Sequence, residues 1–324
     1  NERMLQAIGL VWKSLGWHLD EESPHDAEPA QLRTPIPKVR VEWDEASCGQ
    51  LVYLYTEVNE NFAGHPEEFF AALARPDKAD RERITLATID IGGGTTDLVI
   101  TDYRLDRAGN QGSGSNVHIV PEQRFHDGFK IAGDDILLDI IQGFILPSFE
   151  KALFNADVKA AGSLMSRLCG DDSASAQDQI LRQQLNLQVF TPLGLALLKA
   201  YEQFDPQTPT EASTSTYREL LGKDAVSASV LEYVASAVRR EPGAQLAFDL
   251  LETPITFDLR QLHVAFVTGQ INITKILGAL CEVVFQYPCD MLLLTGRPSR
   301  LPGVQAFIRK MLPLPPGRIL ALQN

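Results

Sequence analysis

Leu86–Ile100 reads LATIDIGGGTTDLVI and decides how the rest of the chain is interpreted. β-Branched and apolar residues on both sides of the glycines predict two strands, and the short turn between them predicts a hairpin. Glycines lack a Cβ, so the N–H groups of Gly92–Gly94 can turn toward a bound anion. The hydroxyls of Thr95 and Thr96 can hold a phosphate oxygen or a water. The stretch therefore predicts a phosphate-binding hairpin.

Two aspartates flank this turn and indicate a cation beside the phosphate. Asp90 and Asp97 cannot face a phosphate without a positive ion between them, and Mg²⁺ typically binds through one or two carboxylates plus waters. Both are candidate metal ligands. The alternative is an ordinary glycine-rich hairpin turn, although such turns rarely need three glycines between acids.

Two commoner phosphate-binding loops are excluded. The P-loop requires Gly-x-x-x-x-Gly-Lys-[Ser/Thr], and the dinucleotide fingerprint requires Gly-x-Gly-x-x-Gly at the start of a helix. Here no lysine follows the glycines, Asp97 occupies the place of the last glycine, and Leu98–Tyr103 predicts a strand.

Three further segments carry candidate site residues. Asp44–Tyr55 predicts a helix whose small early residues let another backbone approach, with Glu45 in its first turn. Ala132–Asp135 opens an apolar helix with a glycine followed by acids, which is a favourable N-terminus. Asp290–Val304 predicts a buried strand, a tight turn at Gly296 and a helix that begins with proline.

Asp90–Asp97 resembles the second phosphate-binding hairpin of the actin and DnaK-type chaperone superfamily, and Gly296–Pro302 resembles its adenosine motif. The order of helix, phosphate hairpin, Gly-acid helix start, helical insertion and adenosine turn is also similar to that superfamily. The run Leu294–Val304 looks like the bacterial SrfB virulence-factor family, whose members are large proteins with an actin-like ATPase module. The resemblance implies an α/β fold, an actin-like ATPase (ribonuclease H-like) lobe with a mostly helical inserted subdomain.

The resemblance also implies a division of the chain. The predicted parts are a remnant of a first lobe with the interlobe helix at 1–83, the core of a second lobe at 84–135 and 255–324, and an inserted helical lid at 136–254. Further strands are predicted at 117–126, 255–257 and 319–320. Within the lid we predict a polar loop at 208–216 and interpret Lys199 and Glu202 as solvated charges.

The implied ligands are ATP or ADP with Mg²⁺. Asp90, Glu45 and Thr95 would act in catalysis, and Asp90 and Asp97 would hold the metal. A guanidinium at Arg300 can stack on adenine. The residues implied to bind the nucleotide are Gly92, Gly93, Gly94, Thr95, Thr96, Gly133, Gly296, Ser299 and Arg300.

The chain departs from the superfamily pattern in three places. Ala132 stands where relatives carry the first of two glycines, and Arg297-Pro298 stands where they carry Gly-Ser. Arg297 would either narrow the adenine pocket or reach a phosphate. The first phosphate loop, Asp-x-Gly-[Thr/Ser], does not occur in these 324 residues. Because the chain opens at Asn1 within a helical pattern, we expect a segment of a longer protein, with weak or no ATP turnover alone.

Composition narrows the classes of partner. A net charge of −13 disfavours nucleic acid or an acidic membrane surface. No apolar run approaches the roughly 18 residues of a membrane helix, and the N-terminus lacks a signal-peptide pattern. The four cysteines lack Cys-x-x-Cys spacing, which is typical of reduced thiols in a cytosolic protein. We therefore expect a cytoplasmic location.

Two functions stay open at this point. The first is a virulence-associated, nucleotide-dependent conformational switch that binds and hydrolyses ATP. The second is a degenerate, non-hydrolysing scaffold or assembly protein of the same fold, which Arg297-Pro298 and the missing first loop favour. Protein partners or self-assembly are expected in either case.

Overall fold

The structure, a computed structural model, describes residues 2–14, 44–107, 117–170, 175–222, 224–245 and 247–322. Residues 15–43 of the predicted first-lobe remnant and 108–116 of the predicted lobe core lie outside the described residues. In the described part the chain is a mixed α/β protein with one large sheet and many helices.

The strands of the described residues form two sheets. They are β1 (Arg83–Ile91), β2 (Thr96–Asp106), β3 (His118–Phe129), β4 (Ser213–Thr216), β5 (Pro254–Phe257), β6 (Met291–Thr295) and β7 (Ile319–Ala321). The larger sheet has the order β3-β2-β1-β6-β7, with β1 antiparallel to β2 and parallel to β6. The predicted hairpin, its third strand and the two closing strands are confirmed.

The described residues also form helices. They are α1 (Glu2–Ser14), α2 (Glu45–Thr56), α3 (Pro66–Leu73), α4 (Gly133–Ile140), α5 (Leu146–Asn155), α6 (Ala161–Cys169), α7 (Ala176–Leu185), α8 (Thr191–Glu202), α9 (Tyr217–Leu221), α10 (Ala228–Arg239), α11 (Leu259–Val267), α12 (Ile273–Gln286) and α13 (Pro302–Met311). Short π-helical segments follow α2, α4 and α7. None of the helices in the described ranges combines the length and apolarity needed to cross a membrane.

Both faces of the central strand β1 are covered. Successive side chains of a strand point to opposite faces, and those of β1 divide between two apolar clusters. Ile84 and Leu86 join the cluster of α2 and α3, whereas Ala87 and Ile89 join the larger cluster of α4, α5 and the later helices. Every residue of β1 after Arg83 is buried, as expected for a strand that is covered on both faces.

Gln50 fixes α2 on one of these faces. Its fully buried amide Nε2 donates to Oγ1 of Thr88 at 3.0 Å, and its Oε1 accepts from the hydroxyl of Tyr103 at 2.9 Å. Burial raises the pKa of the Tyr103 hydroxyl to about 12, which keeps it a hydrogen-bond donor. Because Thr88 and Asp90 share a face of β1, α2 lies over the face that carries Asp90.

The turn after β6 lies directly against the end of β1. Gly296 has a φ of +78°, a conformation that strongly favours glycine. A Cβ at this position would lie 2.0 Å from the carbonyl oxygen of Ile91 and 3.1 Å from Oδ1 of Asp90. Both the backbone conformation and the contact therefore require glycine. The turn that follows β1 and the turn that follows β6 lie at the same edge of the sheet.

A buried carboxylate holds the opposite edge. Asp290, immediately before β6, has a fully buried side chain. It accepts hydrogen bonds from the backbone N–H groups of Arg75 at 2.8 Å and Thr85 at 2.7 Å, and from Nζ of Lys78 at 2.7 Å. This carboxylate connects the segment after α3 to both central strands.

The region between the third strand and β5 is mainly helical, as predicted. The predicted loop at 208–216 is wrong for Ser213–Thr216, which forms β4 antiparallel to β5. Thr214 and Thr256 face each other with hydroxyl oxygens 3.0 Å apart. The serines and threonines read as a loop locally, and the strand forms because its partner lies about forty residues away in the chain.

Replacing Asp290 tests the buried carboxylate. Asp290→Ala leaves Lys78 and two backbone N–H groups without their acceptor, so we expect a loss of about 3–5 kcal/mol in the free energy of unfolding. Urea denaturation measures this. Asp77→Ala, at a side chain that is 71% exposed, is the matched control and should cost less than about 1 kcal/mol. Equal unfolding midpoints for the two variants would contradict the account.

Replacing Gly296 tests the contact between the two turns. Gly296→Ala forces a left-handed alanine, at about 1–2 kcal/mol, and inserts a methyl group against β1, at about 1–3 kcal/mol. Urea denaturation measures the combined loss in the free energy of unfolding. Gly317→Ala, where no heavy atom lies within 4 Å of the added Cβ, should stay near wild type. A Gly296→Ala variant of wild-type stability would show that the turns do not touch.

Candidate functional site

The glycine turn of the hairpin holds the N-terminus of α4. The N–H of Gly133 donates to the carbonyl oxygen of Gly92 at 3.0 Å, and the N–H of Asp134 donates to that of Gly93 at 2.8 Å. Across the described residues, no hydrogen bond occupies the N–H groups of Gly93 and Gly94. The turn therefore uses its carbonyls to bind the helix and keeps backbone donors for a ligand.

Three corners of the chain meet at this point. A Cβ at Gly133 would lie 3.0 Å from the carbonyl oxygen of Gly92 and 3.0 Å from Cγ of Pro298. These contacts are closer than ordinary van der Waals packing, so glycine lets the start of α4 fit between the hairpin turn and the turn after β6. The structure thus brings the two sequence-predicted corners together at the carboxyl ends of β1 and β6.

The two aspartates of the hairpin lie side by side. Asp90 and Asp97 are directly opposed in the β1–β2 ladder, so their side chains share one face of the sheet. Oδ1 of the buried Asp90 accepts from Oγ1 of Thr295 at 2.7 Å, and Oδ2 of Asp97 accepts from Oγ1 of Thr95 at 3.2 Å. Adjacent like charges repel, which favours a cation near this pair.

The metal-binding capacity of this pair is limited. Within the ranges that the structure describes, no group of three or more His, Cys, Asp or Glu side chains is arranged to hold a metal ion. Two carboxylates still match Mg²⁺, which keeps several waters and binds through one or two carboxylates. Asp90 and Asp97 can therefore hold such an ion with water and a phosphate completing its shell.

A cavity of about 670 Å³ opens above the three corners. Its lining includes the glycines of the corners and a mainly apolar wall. The lining residues are Glu45, Gly92, Gly93, Gly133, Asp134, Ile136, Leu137, Pro192, Leu195, Ala196, Leu198, Lys199, Glu202, Gly296, Arg297, Pro298 and Leu301. Its volume lies within the range of small-molecule sites, about 300–1,000 Å³.

Helix α8 forms the apolar wall. It approaches α4 closely because Gly194 has no side chain, and a Cβ there would lie 2.7 Å from Cδ1 of Leu137. Lys199 and Glu202, one helical turn apart on α8, both line the cavity. This location corrects the interpretation of Glu202 as a solvated charge, since its side chain is only 17% exposed and pairs with Arg297.

The Glu202–Arg297 pair joins α8 to the turn after β6. Nε of Arg297 donates to Oε1 of Glu202 at 3.0 Å, and this hydrogen bond raises the pKa of the Arg297 guanidinium. The pair was missed at the sequence level because 95 residues separate the two positions. The local signal was an arginine at position 297, where the superfamily carries glycine, and this signal does not identify Glu202 as the partner.

Several predicted residues serve the local structure instead of the cavity lining. The buried hydroxyl of Thr96 donates to the carbonyl oxygen of Ile131 at 2.7 Å, and the buried hydroxyl of Ser299 donates to that of Gly296 at 2.7 Å. Arg300 lines a second, adjoining cavity of about 230 Å³. The main cavity is therefore lined by the glycine corners, by the apolar wall of α8 and by the acidic residues Glu45, Asp134 and Glu202.

Glu45 reaches the cavity from the first turn of α2. Asp44 caps this helix by accepting from the N–H and the hydroxyl of Ser47, each at 2.7 Å. Burial would raise the pKa of the Asp44 carboxyl, but the hydrogen bonds from Ser47 hold it below its usual value. The cap therefore stays ionised at neutral pH and fixes the position of Glu45.

The cysteines do not contribute to this cavity. Burial raises the pKa of the Cys169 and Cys289 thiols to about 11 and that of Cys281 to about 12. Because the thiolate is the reactive form, these three side chains are poor nucleophiles at neutral pH. None of the four cysteines lines the main cavity.

Comparisons with known proteins give one result on identity. The family model of virulence factor SrfB matches residues 1–324. A comparison with curated proteins gave no match. The resemblance of the closing run to SrfB is thereby confirmed, while the wider relationship to actin and DnaK-type chaperones stays a prediction. The chain belongs to the virulence factor SrfB family.

Proposed function

We propose that this chain is the nucleotide-binding part of an actin/DnaK-like ATPase that acts as a conformational switch. One observation carries the proposal. Three glycine corners line a single cavity at the carboxyl ends of the parallel strands β1 and β6, and two opposed aspartates flank the hairpin turn that forms one of these corners. Ligands of open α/β sheets bind at this edge.

The order of elements supports the actin-like fold. The strands β1 to β3 form a meander, and α4 starts with Gly133 and two acids directly after it. A mainly helical insertion follows, and the chain then returns through the buried strand β6 to the Gly296 turn. This is the arrangement that the resemblance to actin and DnaK-type chaperones implies.

The corners suit the phosphates and the cation of Mg-ATP. The N–H groups of Gly93 and Gly94 would bind phosphate oxygens, and Thr95 is exposed beside them. Asp90 and Asp97 would hold Mg²⁺, which neutralises charge on the phosphates during transfer. Glu45 and Asp90 would orient a water for hydrolysis.

The remaining lining suits the nucleoside. Leu195 and Leu198 of α8 give an apolar surface opposite Pro298, and Gly296 leaves the backbone open to a ribose or base. Because the floor comes from the sheet and the wall comes from the insertion, a ligand that contacts both would shift their relative position. Closure of this kind is the common basis of nucleotide switches.

A second candidate function is a non-hydrolysing scaffold of the same fold. Two observations favour it. Arg297 and Glu202 bond to each other at the edge of the cavity, and the hydroxyls of Thr96 and Ser299 are used in internal hydrogen bonds. In that case the cavity would be structural, and protein partners or self-assembly would carry the function.

The cellular setting is also a proposal. The spacing of the cysteines favours the cytoplasm, and the acidic net charge of −13 favours protein partners over nucleic acid. Family membership connects the chain to virulence by the family description. A protein partner whose binding depends on the bound nucleotide would be consistent with the acidic net charge and with the family's link to virulence.

Replacing Asp90 separates the two functions. Asp90→Ala removes a metal-binding carboxylate, and contacts to charged groups contribute about 1.5–3 kcal/mol. We therefore expect Mg-ATP affinity to fall by roughly 10- to 100-fold in isothermal titration, and EDTA to weaken wild-type binding similarly. Asp90→Asn, which keeps the side-chain volume, should show the same loss.

The matched control is Asp106→Ala, at the far end of the same hairpin, which should bind as wild type does. Equal affinity of the wild type and both Asp90 variants would contradict the switch. Absence of binding by every protein would favour the scaffold.

A further inference from the structure

We propose that the Arg297–Glu202 ion pair is a latch between the main cavity and the adjoining cavity at Arg300, and that a bound nucleotide opens it. The latch is defined by these two side chains. The inference rests on the proposed function, because it concerns access to the same site.

The latch joins two parts of the chain that form different walls of the cavity. Glu202 is the last residue of α8, and Arg297 directly follows Gly296 in the turn after β6. The bond between Nε of Arg297 and Oε1 of Glu202 is 3.0 Å long. The helical insertion and the sheet edge are therefore connected by a polar contact at this point.

The latch also lies between two cavities. Glu202, Gly296 and Arg297 line both the main cavity of about 670 Å³ and the second cavity of about 230 Å³. Arg300 and Leu322 belong to the lining of the second cavity and not of the first. A ligand in the main cavity can reach Arg300 once the two side chains separate.

The exposure of the Arg297 side chain makes the latch easy to open. The side chain of Arg297 is 73% exposed, whereas that of Glu202 is 17% exposed. Exposed ion pairs contribute little to stability because water and salt screen them. An anionic ligand in the cavity competes with Glu202 for the guanidinium, since the planar fork of arginine binds phosphate as well as carboxylate.

The backbone of the turn favours opening by side-chain rotation. Proline fixes its own φ, and Pro298 lies in a short 3₁₀ helix, Arg297–Arg300. The buried hydroxyl of Ser299 also bonds to the carbonyl of Gly296. The turn is thus held in place, so the Arg297 side chain is the part that moves.

A charge-swap experiment tests the latch. The proteins are the wild type, Glu202→Gln, Arg297→Gln and the double variant Glu202→Arg with Arg297→Glu, each titrated with Mg-ATP. If the closed latch opposes the ligand, Glu202→Gln should bind roughly two- to fivefold more tightly, the scale of an exposed ion pair, because Arg297 is then free for the ligand. Arg297→Gln should show no such gain, because it removes the guanidinium that the ligand would contact. The swapped pair should return to wild-type affinity.

The opposite pattern overturns the latch. Equal or weaker binding by Glu202→Gln would mean that Glu202 does not hold the guanidinium away from the ligand, and a swapped pair that differs from wild type would mean that pairing is irrelevant. Failure of all four proteins to bind Mg-ATP contradicts the proposed function instead. In that case amide hydrogen exchange without ligand decides, because it reports local opening. A latch predicts that both single variants speed exchange at residues 199–202 and 296–301 and that the swap restores the slower exchange, and equal exchange in all four proteins overturns it.

Discussion

Two hydrogen bonds between the glycine turn and the start of α4 are the constraint on which the rest of the site depends. Gly92 and Gly93 accept from the N–H groups of Gly133 and Asp134, which would otherwise lack a partner within the helix. These bonds place α4 at the carboxyl edge of the sheet. The later helix α8 then packs on α4 and closes one side of the cavity.

The backbone segments at this edge can approach one another closely because three positions are glycines, which have no side chain. Gly133 fits between the hairpin turn and Pro298, Gly194 lets α8 reach Leu137, and Gly296 rests on the end of β1. Charge is concentrated at the same place, since Asp90 and Asp97 are opposed and Asp134 lines the cavity. A compact edge with unpaired N–H groups and surplus negative charge suits an anion bound together with a cation.

Local patterns in the sequence predicted most of the elements that build this edge. The hairpin, the helix after Asp44, the helix that starts at Gly133 and the strand before Gly296 each depend on residues close together in the chain, so glycine positions and apolar runs were sufficient. The meeting of the two glycine corners followed from the resemblance to a known order of motifs. These features are the ones in which local preference and tertiary packing agree.

Long-range contacts explain what the sequence did not predict. Strand β4 is a run of serines and threonines that becomes a strand through pairing with β5. Glu202 looked like a surface charge because nothing near it in the chain indicates Arg297. Thr96 and Ser299 matched a binding pattern by residue type, yet their buried hydroxyls bond to backbone carbonyls. Such pairings depend on the folded arrangement and leave no trace in spacing or periodicity.

The central claim is that the hairpin turn, the turn after β6 and helix α8 form one nucleotide site. Amide hydrogen exchange with and without Mg-ATP tests it most directly, since exchange reports local opening along the chain. The account predicts that Mg-ATP slows exchange in 92–95, 195–202 and 296–301 together, and that EDTA removes this protection. Unchanged exchange in these three segments, or protection confined to another surface such as the α12–α13 side, would contradict it.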